Sequence, residues 1–350
     1  AIGGRVGSKD YLTLATDDNG KPYLAFRNQV EEKAYVMKYS GGSWQILGNQ
    51  AVSDGKAYWV SLALDHNGAP YVAYTENDYE EGGATVKKFN GTTWELVGEP
   101  EFTVENGAYS NICIYNDNGN PVPYVAVQQN TTGICKAAVY KYTGNGETGW
   151  EMIGGEFGST QDPLIQVVQE GGAPVPYVAN VEIGVWKYNG TDWVAVGGSL
   201  GTYCTSFEVD SDSGTLYAAS IHFGVKKLSG GAWSNVGNLD FTAGAGKTQA
   251  GQMDLALYSG IPYAAAWDYQ VGDPSNMSLT VLKYTGSGAT GWEAIGNVGN
   301  DIVLLKPIFA PSLAVTEEAG IVTPYLAFQH ETSEFSEQNT GKASVVKYIP

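Results

Sequence analysis

A short pattern returns seven times along the chain, and no other feature restricts the possible fold so severely. Each copy opens on a tyrosine, usually after proline, with an alanine two residues later: Tyr23/Ala25, Tyr71/Ala73, Tyr124/Ala126, Tyr177/Ala179, Tyr217/Ala219, Tyr263/Ala265 and Tyr325/Ala327. A lysine-bearing segment follows, at Lys38-Tyr39, Lys88-Phe89, Lys141-Tyr142, Lys187-Tyr188, Lys227-Leu228, Lys283-Tyr284 and Lys347-Tyr348. Six copies then end on W-x-x-apolar-Gly, at Trp44/Gly48, Trp94/Gly98, Trp150/Gly154, Trp193/Gly197, Trp233/Gly237 and Trp292/Gly296. Successive anchor tyrosines stand 40 to 62 residues apart.

Each copy predicts four short strands. In the second, Ser61–Asp65 leads through His66-Asn67-Gly68, a strong hairpin signal, into Pro70–Tyr74. The near-continuous apolar character of Pro70–Tyr74 predicts a strand covered on both faces. Ala84–Phe89 then turns at Asn90-Gly91 into Trp94–Gly98. Four antiparallel strands at this period are the signature of a β-propeller blade. The expectation is an all-β chain, one seven-bladed propeller with blades over about 11–48, 61–98, 110–154, 163–197, 205–237, 253–296 and 311–350. The seventh copy stops at Lys347-Tyr348-Ile349-Pro350, without its tryptophan strand. Ala1-Ile2-Gly3 matches the end of that strand elsewhere (Ala294-Ile295-Gly296), so residues 1–7 are expected to complete the last blade. A ring closed in this way leaves no free edge between its ends. Alanines suit the second strand near the axis, where space is short, and tryptophans suit the outer strand, where blades splay apart.

Charge and composition narrow the partners. With 19 basic against 37 acidic residues the formal charge is −18, and the only arginines are Arg5 and Arg27, a balance that excludes phosphate-tracking nucleic-acid proteins. No apolar run approaches the ~18–20 residues of a membrane span, so no membrane insertion is expected. The chain begins mid-pattern without an initiator Met or a signal-peptide pattern, and reads as a mature or trimmed product. Cys113, Cys135 and Cys204 are too few for a disulfide framework. Cys113 and Cys135 fall two strand spacings apart, about 9.6 Å, beyond the ~7 Å a bridge tolerates. Three free, buried thiols are expected.

The combination Asn-Gly-x-Pro-Tyr-x-Ala followed by Lys-Tyr-x-Gly-x-x-Trp-x-x-apolar-Gly resembles the repeat propellers of secreted or cell-surface bacterial proteins. The resemblance covers essentially the whole chain. It implies an extracellular or cell-surface location and a role in binding other molecules, and it carries no site residues. The pattern lacks the Trp-Asp ending of WD40 repeats, since Asp192-Trp193 has the reverse order, and shows no Kelch-like Gly-Gly doublet. Sialidases share Asp-x-x-Gly turns such as Asp65–Gly68, but their carboxylate clamp needs three arginines, and this chain has two.

Candidate site residues come from what the repeat leaves over. The variable connections belong to one face, with the longest at 237–253, 267–278, 296–311 and 329–342. Trp59, Trp186 and Trp267 lie outside the repeat. Trp186 reads as core. Trp59, and Trp267-Asp268-Tyr269, place aromatic rings beside a polar neighbour, the arrangement that covers the apolar face of a sugar while a carboxylate accepts its hydroxyls. Packing beneath their own loops is the competing reading. Asp78 and Tyr79, in Asn77–Glu81, and the pair His330-Glu331 complete the set of ligand-binding candidates. Asp210–Gly214 resembles the start of a calcium loop but falls where other copies place a hairpin turn, and no metal or cofactor is expected. No nucleophile or phosphate-cradling motif is present. The functional expectation is a non-catalytic module presenting a loop-rich face to a glycan or a surface protein. The alternative is a carbohydrate-active hydrolase or lyase using carboxylates such as Asp78, Asp268 and Glu331.

Overall fold

Short β-branched and aromatic runs punctuated by Asn-Gly and Gly-Gly turns build strands, and among the described residues a three-residue 3-10 turn at Leu47–Asn49 accompanies them. The computed structural model describes residues 6–76, 82–103, 107–130, 133–238, 253–269, 277–295, 311–330 and 342–348. Strands β1 (Val6–Thr16), β2 (Pro22–Asn28), β3 (Ala34–Ser40) and β4 (Ser43–Ile46) pair in chain order. So do β5 (Ala57–Leu64), β6 (Pro70–Glu76), β7 (Ala84–Phe89) and β8 (Trp94–Leu96). The order repeats in β9 (Gly107–Asp117), β10 (Asn120–Asn130), β11 (Cys135–Tyr142) and β12 (Trp150–Met152), and in β13 (Phe157–Glu170), β14 (Ala173–Val181), β15 (Gly184–Tyr188) and β16 (Trp193–Val196). Two further sheets join β17 (Ser206–Val209), β18 (Leu216–Ser220), β19 (Gly224–Ser229) and β20 (Ala232–Asn235), then β21 (Met253–Tyr258), β22 (Ile261–Tyr269), β23 (Met277–Tyr284) and β24 (Trp292–Ala294). Finally β25 (Ser312–Glu318), β26 (Ile321–His330) and β27 (Lys342–Lys347) pair in the same antiparallel manner.

Two contacts link sheets edge to edge. The start of β13 runs beside β11, Phe157 opposite Ala137, and the start of β1 runs beside β27, Val6 opposite Ala343. Residue 6 onward is therefore one continuous strand shared between β27 and β2, while residues 1–5 lie outside the described residues.

Register explains the repeat. Every anchor tyrosine stands opposite the repeat lysine of the next strand: Tyr23/Lys38, Tyr71/Lys88, Tyr124/Lys141, Tyr177/Lys187, Tyr217/Lys227, Tyr263/Lys283 and Tyr325/Lys347. In Lys38 and Lys88 the ammonium lies 4.4 and 4.8 Å from the tyrosine ring centroid and also reaches Asp17 and Asp65. Such cation–π contacts contribute about 0.5–1 kcal/mol each at exposed sites. The seven repeat alanines are fully buried between sheets.

Tryptophan and glycine of the repeat act across sheets. Trp150, Trp193 and Trp292 donate their indole N–H to Val97, Ile153 and Val236 of the preceding sheet at 2.7, 2.9 and 2.7 Å. The ring then covers the preceding glycine so closely that a Cβ at Gly98 would stand 2.7 Å from Trp150 Nε1. The core is correspondingly divided into layers between consecutive sheets. One joins Tyr23, Val36, Val60 and Trp94, and another joins Tyr177, Leu200, Phe207 and Leu216. A further layer joins Leu24, Phe26 and Trp44 of the first sheet to Tyr325, Ala327 and Val345 of the last.

The thiols are free, as expected. Cys204 is buried; Cys113 and Cys135 are half-buried, one strand removed from each other across β10. Burial pushes the Cys113 and Cys204 thiols up to about 12, so both remain protonated and unreactive at neutral pH.

Candidate functional site

The first strand of each sheet is tied to the first strand of the next by a side chain at one recurrent position. Ser61 Oγ accepts from the Ile112 amide at 3.2 Å, and Asn111 Oδ1 from the Ile165 amide at 2.9 Å. Ser206 Oγ accepts from Leu255, Asp254 Oδ2 from Leu313, and Ser312 Oγ from Leu14, at 3.1, 2.7 and 2.9 Å. Thr13 Oγ1 instead donates to the Val60 carbonyl at 3.3 Å. The corresponding residue of β13 is Leu164, which has no such group, and Gln166 Nε2 reaches the Phe207 carbonyl at 2.9 Å in its place. These bonds run from β1 through β25 and return to β1.

Three residues before the buried apolar residue that follows this position, the inner strands bulge. Pairing slips between Tyr58 and Ser61, between Ala126 and Gln128 opposite Tyr109, and between Thr160 and Leu164. Trp59, Tyr109 and Asp162 there adopt φ of 48°, 53° and 50°. For residues other than glycine such backbone costs about 1–3 kcal/mol each and is held only where the surroundings impose it. Ser110 Oγ holds the first bulge by donating to the Trp59 carbonyl at 2.9 Å.

The first two bulges bring aromatic rings together. Trp59 and Tyr109 lie 4.7 Å apart between centroids, Tyr58 lies 5.8 Å from Trp59, and the Arg27 guanidinium covers the Tyr58 ring at 4.7 Å. All three aromatic residues are half-buried. This row crosses three consecutive sheets through β2, β5 and β9. Its charges are neutralised locally: Glu32 pairs with Arg27 at 2.7 Å and with Lys56 at 2.6 Å. The bond from Lys56, with the charge of Arg27, holds the Glu32 carboxyl below its ordinary range. What the row offers is apolar ring surface framed by hydroxyls, the chemistry of a saccharide or aromatic ligand.

Trp59 is thus placed inside β5, beside Tyr109, rather than in a connection preceding it. Trp267, Asp268 and Tyr269 end β22, opposite Leu279, Ser278 and Met277, on a different sheet from Trp59. His330 ends β26 opposite Lys342. Asp78, Tyr79 and Glu331 lie outside the described residues, as do most of the long connections. Tyr109, Tyr58 and Arg27 were not singled out by the repeat. The signal was present in Trp59 and Tyr109, each three residues before the buried Leu62 and Ile112, but it becomes visible only once the inner strands are aligned. Asp210–Gly214 is a hairpin turn, with Gly214 N–H donating to the Asp210 carbonyl at 2.8 Å and the Asp210 carboxylate accepting from Asp212 N–H and the Ser213 hydroxyl.

At the hairpin ends a cleft of about 380 Å³ opens between β25–β26 and the β1–β2 turn, lined by Lys21, Tyr39, Glu318, Tyr325 and Lys347 among others. Its polar groups serve each other: Glu318 accepts from Tyr325 and from Lys347 at 3.0 Å, and Glu317 from Tyr258 at 2.6 Å.

The sheets define an all-β, propeller-like protein. The chain matches no protein-family model and no curated protein sequence. Among solved structures it is similar to a fungal lectin from Aleuria aurantia, described as a six-bladed β-propeller with a novel fucose recognition mode, at 14% identity and a TM-score of 0.49, over 84% of this chain and 97% of that one. A variant of that lectin in complex with α-methyl-L-fucoside gives 13% identity and a TM-score of 0.47, over 99% and 97%. A thermostable family-43 glycoside hydrolase gives 10% identity and 0.42, over 100% and 92%. No helix among the described residues is long and apolar enough to cross a membrane.

Proposed function

We propose that this chain is a single seven-bladed propeller that binds a glycan, without catalysis, through the face on which the inner-strand bulges lie, outside the cell or on its surface. The observation that carries the binding reading is the Trp59–Tyr109 ring pair held on two strained bulges, with Tyr58 and Arg27 extending it. Strain retained at two successive first strands, each carrying an aromatic residue at the same position, supports reading them as a site. The extracellular location rests on the repeat's resemblance to bacterial surface propellers.

Closure of the ring is supported by spacing. Phe157 stands three residues after Gly154 and faces Ala137; Val6 stands three residues after Gly3 and faces Ala343. This spacing supports the reading that residues 1–5, which lie outside the described residues, take the part that Trp150–Gly154 takes in the third sheet. The layer between first and last sheets and the Ser312–Leu14 bond support the same reading.

The test is a neutral and acidic glycan array followed by calorimetry on the best binder. Trp59→Ala is expected to weaken binding by more than about tenfold, with Trp59→Phe recovering part of it. An array without hits together with capture of a protein partner overturns the glycan reading, and release of reducing ends from a bound glycan overturns the non-catalytic one.

A further inference from the structure

The third bulge carries a carboxylate. The bonds from Ile112 to Ser61 and from Ile165 to Asn111 set β13 against β9 in the same register as β9 against β5. Counted back from the buried residue, Asp162 occupies the position of Tyr109 and Trp59, three residues before Ile165, Ile112 or Leu62 and with φ near +50°, although the β13 bulge is one residue longer, Thr160 to Leu164 spanning Val181 to Ala179. Its backbone is fixed from β14, where Asn180 Nδ2 donates to the Asp162 carbonyl at 3.0 Å and to the Cys204 carbonyl at 2.9 Å, while Thr160 Oγ1 closes the bulge on the Asn180 carbonyl at 2.8 Å. The side chain is solvent-accessible.

We infer that Asp162 is the polar end of the aromatic row, accepting hydroxyl groups of an uncharged saccharide whose apolar face lies on Trp59 and Tyr109; this rests on the glycan reading above. Ring and carboxylate on neighbouring inner strands divide the work a sugar demands: the rings take the C–H face and the carboxylate orients the hydroxyls. The same carboxylate repels acidic sugars, and Glu32 already occupies the Arg27 and Lys56 charges that would otherwise attract them.

Asp162 is exposed at its surface, and the desolvation that its surroundings impose raises its carboxyl to about 6. No neighbouring charge contributes to that rise. The elements around it carry Tyr109, Cys113, Tyr115 and Asp117 on β9, Lys136 on β11 opposite Ser159, Tyr177 on β14 with Glu182 beyond it, whose amide donates to the Ser159 carbonyl, Glu170 at the far end of β13, the neutral Cys204 thiol, and Glu208 on β17. Binding that uses the carboxylate is complete above this pKa and declines below it.

The experiment measures affinity for the best-bound member of a panel of neutral gluco-, manno-, xylo- and galacto-oligosaccharides and of acidic uronic-acid oligosaccharides between pH 5 and 8, for the unaltered chain, Asp162→Asn and Trp59→Ala. Asparagine tolerates positive φ, so the bulge survives the substitution. The expected result is a decline on acidification with a midpoint near 6, and an Asp162→Asn variant bound about tenfold more weakly at pH 7.5 with a flat profile. An Asp162→Asn variant that matches the parent at every pH, while Trp59→Ala loses binding, overturns the role of Asp162 and leaves the glycan reading intact. Preference for acidic oligosaccharides, weakening with salt, overturns the uncharged ligand class. Absence of binding to every oligosaccharide overturns the glycan reading itself, and this inference with it.

Discussion

Asp254 and Glu208 lie on adjacent inner strands, and their titration ties one seam of the molecule to pH. Asp254 accepts from the amides of Leu313 and Leu255 at 2.7 and 2.9 Å, and still burial lifts it to about 6. Glu208 has the weaker partner, Gln166 Nε2 at 3.5 Å, and burial followed by the Asp254 charge lifts it to about 8. Both folded-state values exceed the unfolded ones, so the stability that depends on these protons is complete below the unfolded range near 4–4.5 and is lost as pH rises through about 6 and about 8. Glu208→Gln is expected to remove the upper step: its melting temperature should exceed the parent's by several degrees at pH 9 and converge with it near pH 5. A parent whose melting temperature does not fall between pH 6 and 9 contradicts this assignment. None of this was legible along the chain, because Glu208 occupies an ordinary strand position and only the meeting of two sheets removes it from water.

Between elements, Gly98, Gly154, Gly197 and Gly237, which end W-x-x-apolar-Gly segments, are the seats of the next sheet's tryptophans. Gly98 has φ of +78° and Trp150 lies against it, so an added methyl meets both backbone strain and the indole. Gly98→Ala should cost about 3 kcal/mol, read as a lower denaturant midpoint with an unchanged slope. Gly91, with open space around it, is the control: its substitution tests positive φ without the clash. The repeat displayed the tryptophan and the glycine as a pair within one copy, whereas the contact joins glycine of one copy to tryptophan of the next. The tyrosine and lysine, by contrast, do meet within one copy, because antiparallel pairing of adjacent strands follows directly from short turns.

For the whole molecule, the joint between the last sheet and the first decides whether it melts as one body. Val6 opposite Ala343, the Leu14–Ser312 bond and the Trp44–Tyr325 layer all cross that joint. Deleting residues 1–8 leaves an exposed edge on β27 and should lower the melting temperature by more than any single substitution considered above, with broadening of the transition. A deletion variant that melts with the parent's midpoint and sharpness would show that the joint does not depend on this strand.

Sequence periodicity by itself determined the strand content, the antiparallel order of the sheets and the buried alanines, because strand pairing between neighbours along the chain depends on local turn chemistry and alternation. It also isolated Trp59 as a residue the repeat does not explain. Tertiary structure decided which residues Trp59 meets. Tyr109 is separated from it by 50 positions in the chain, and what unites them is a bulge recurring at one depth of adjacent first strands, as it does again at Asp162, set by hydrogen bonds between sheets. A pattern read along the chain records what each copy shares; a site assembled from the same position of different copies appears only when the sheets stand side by side.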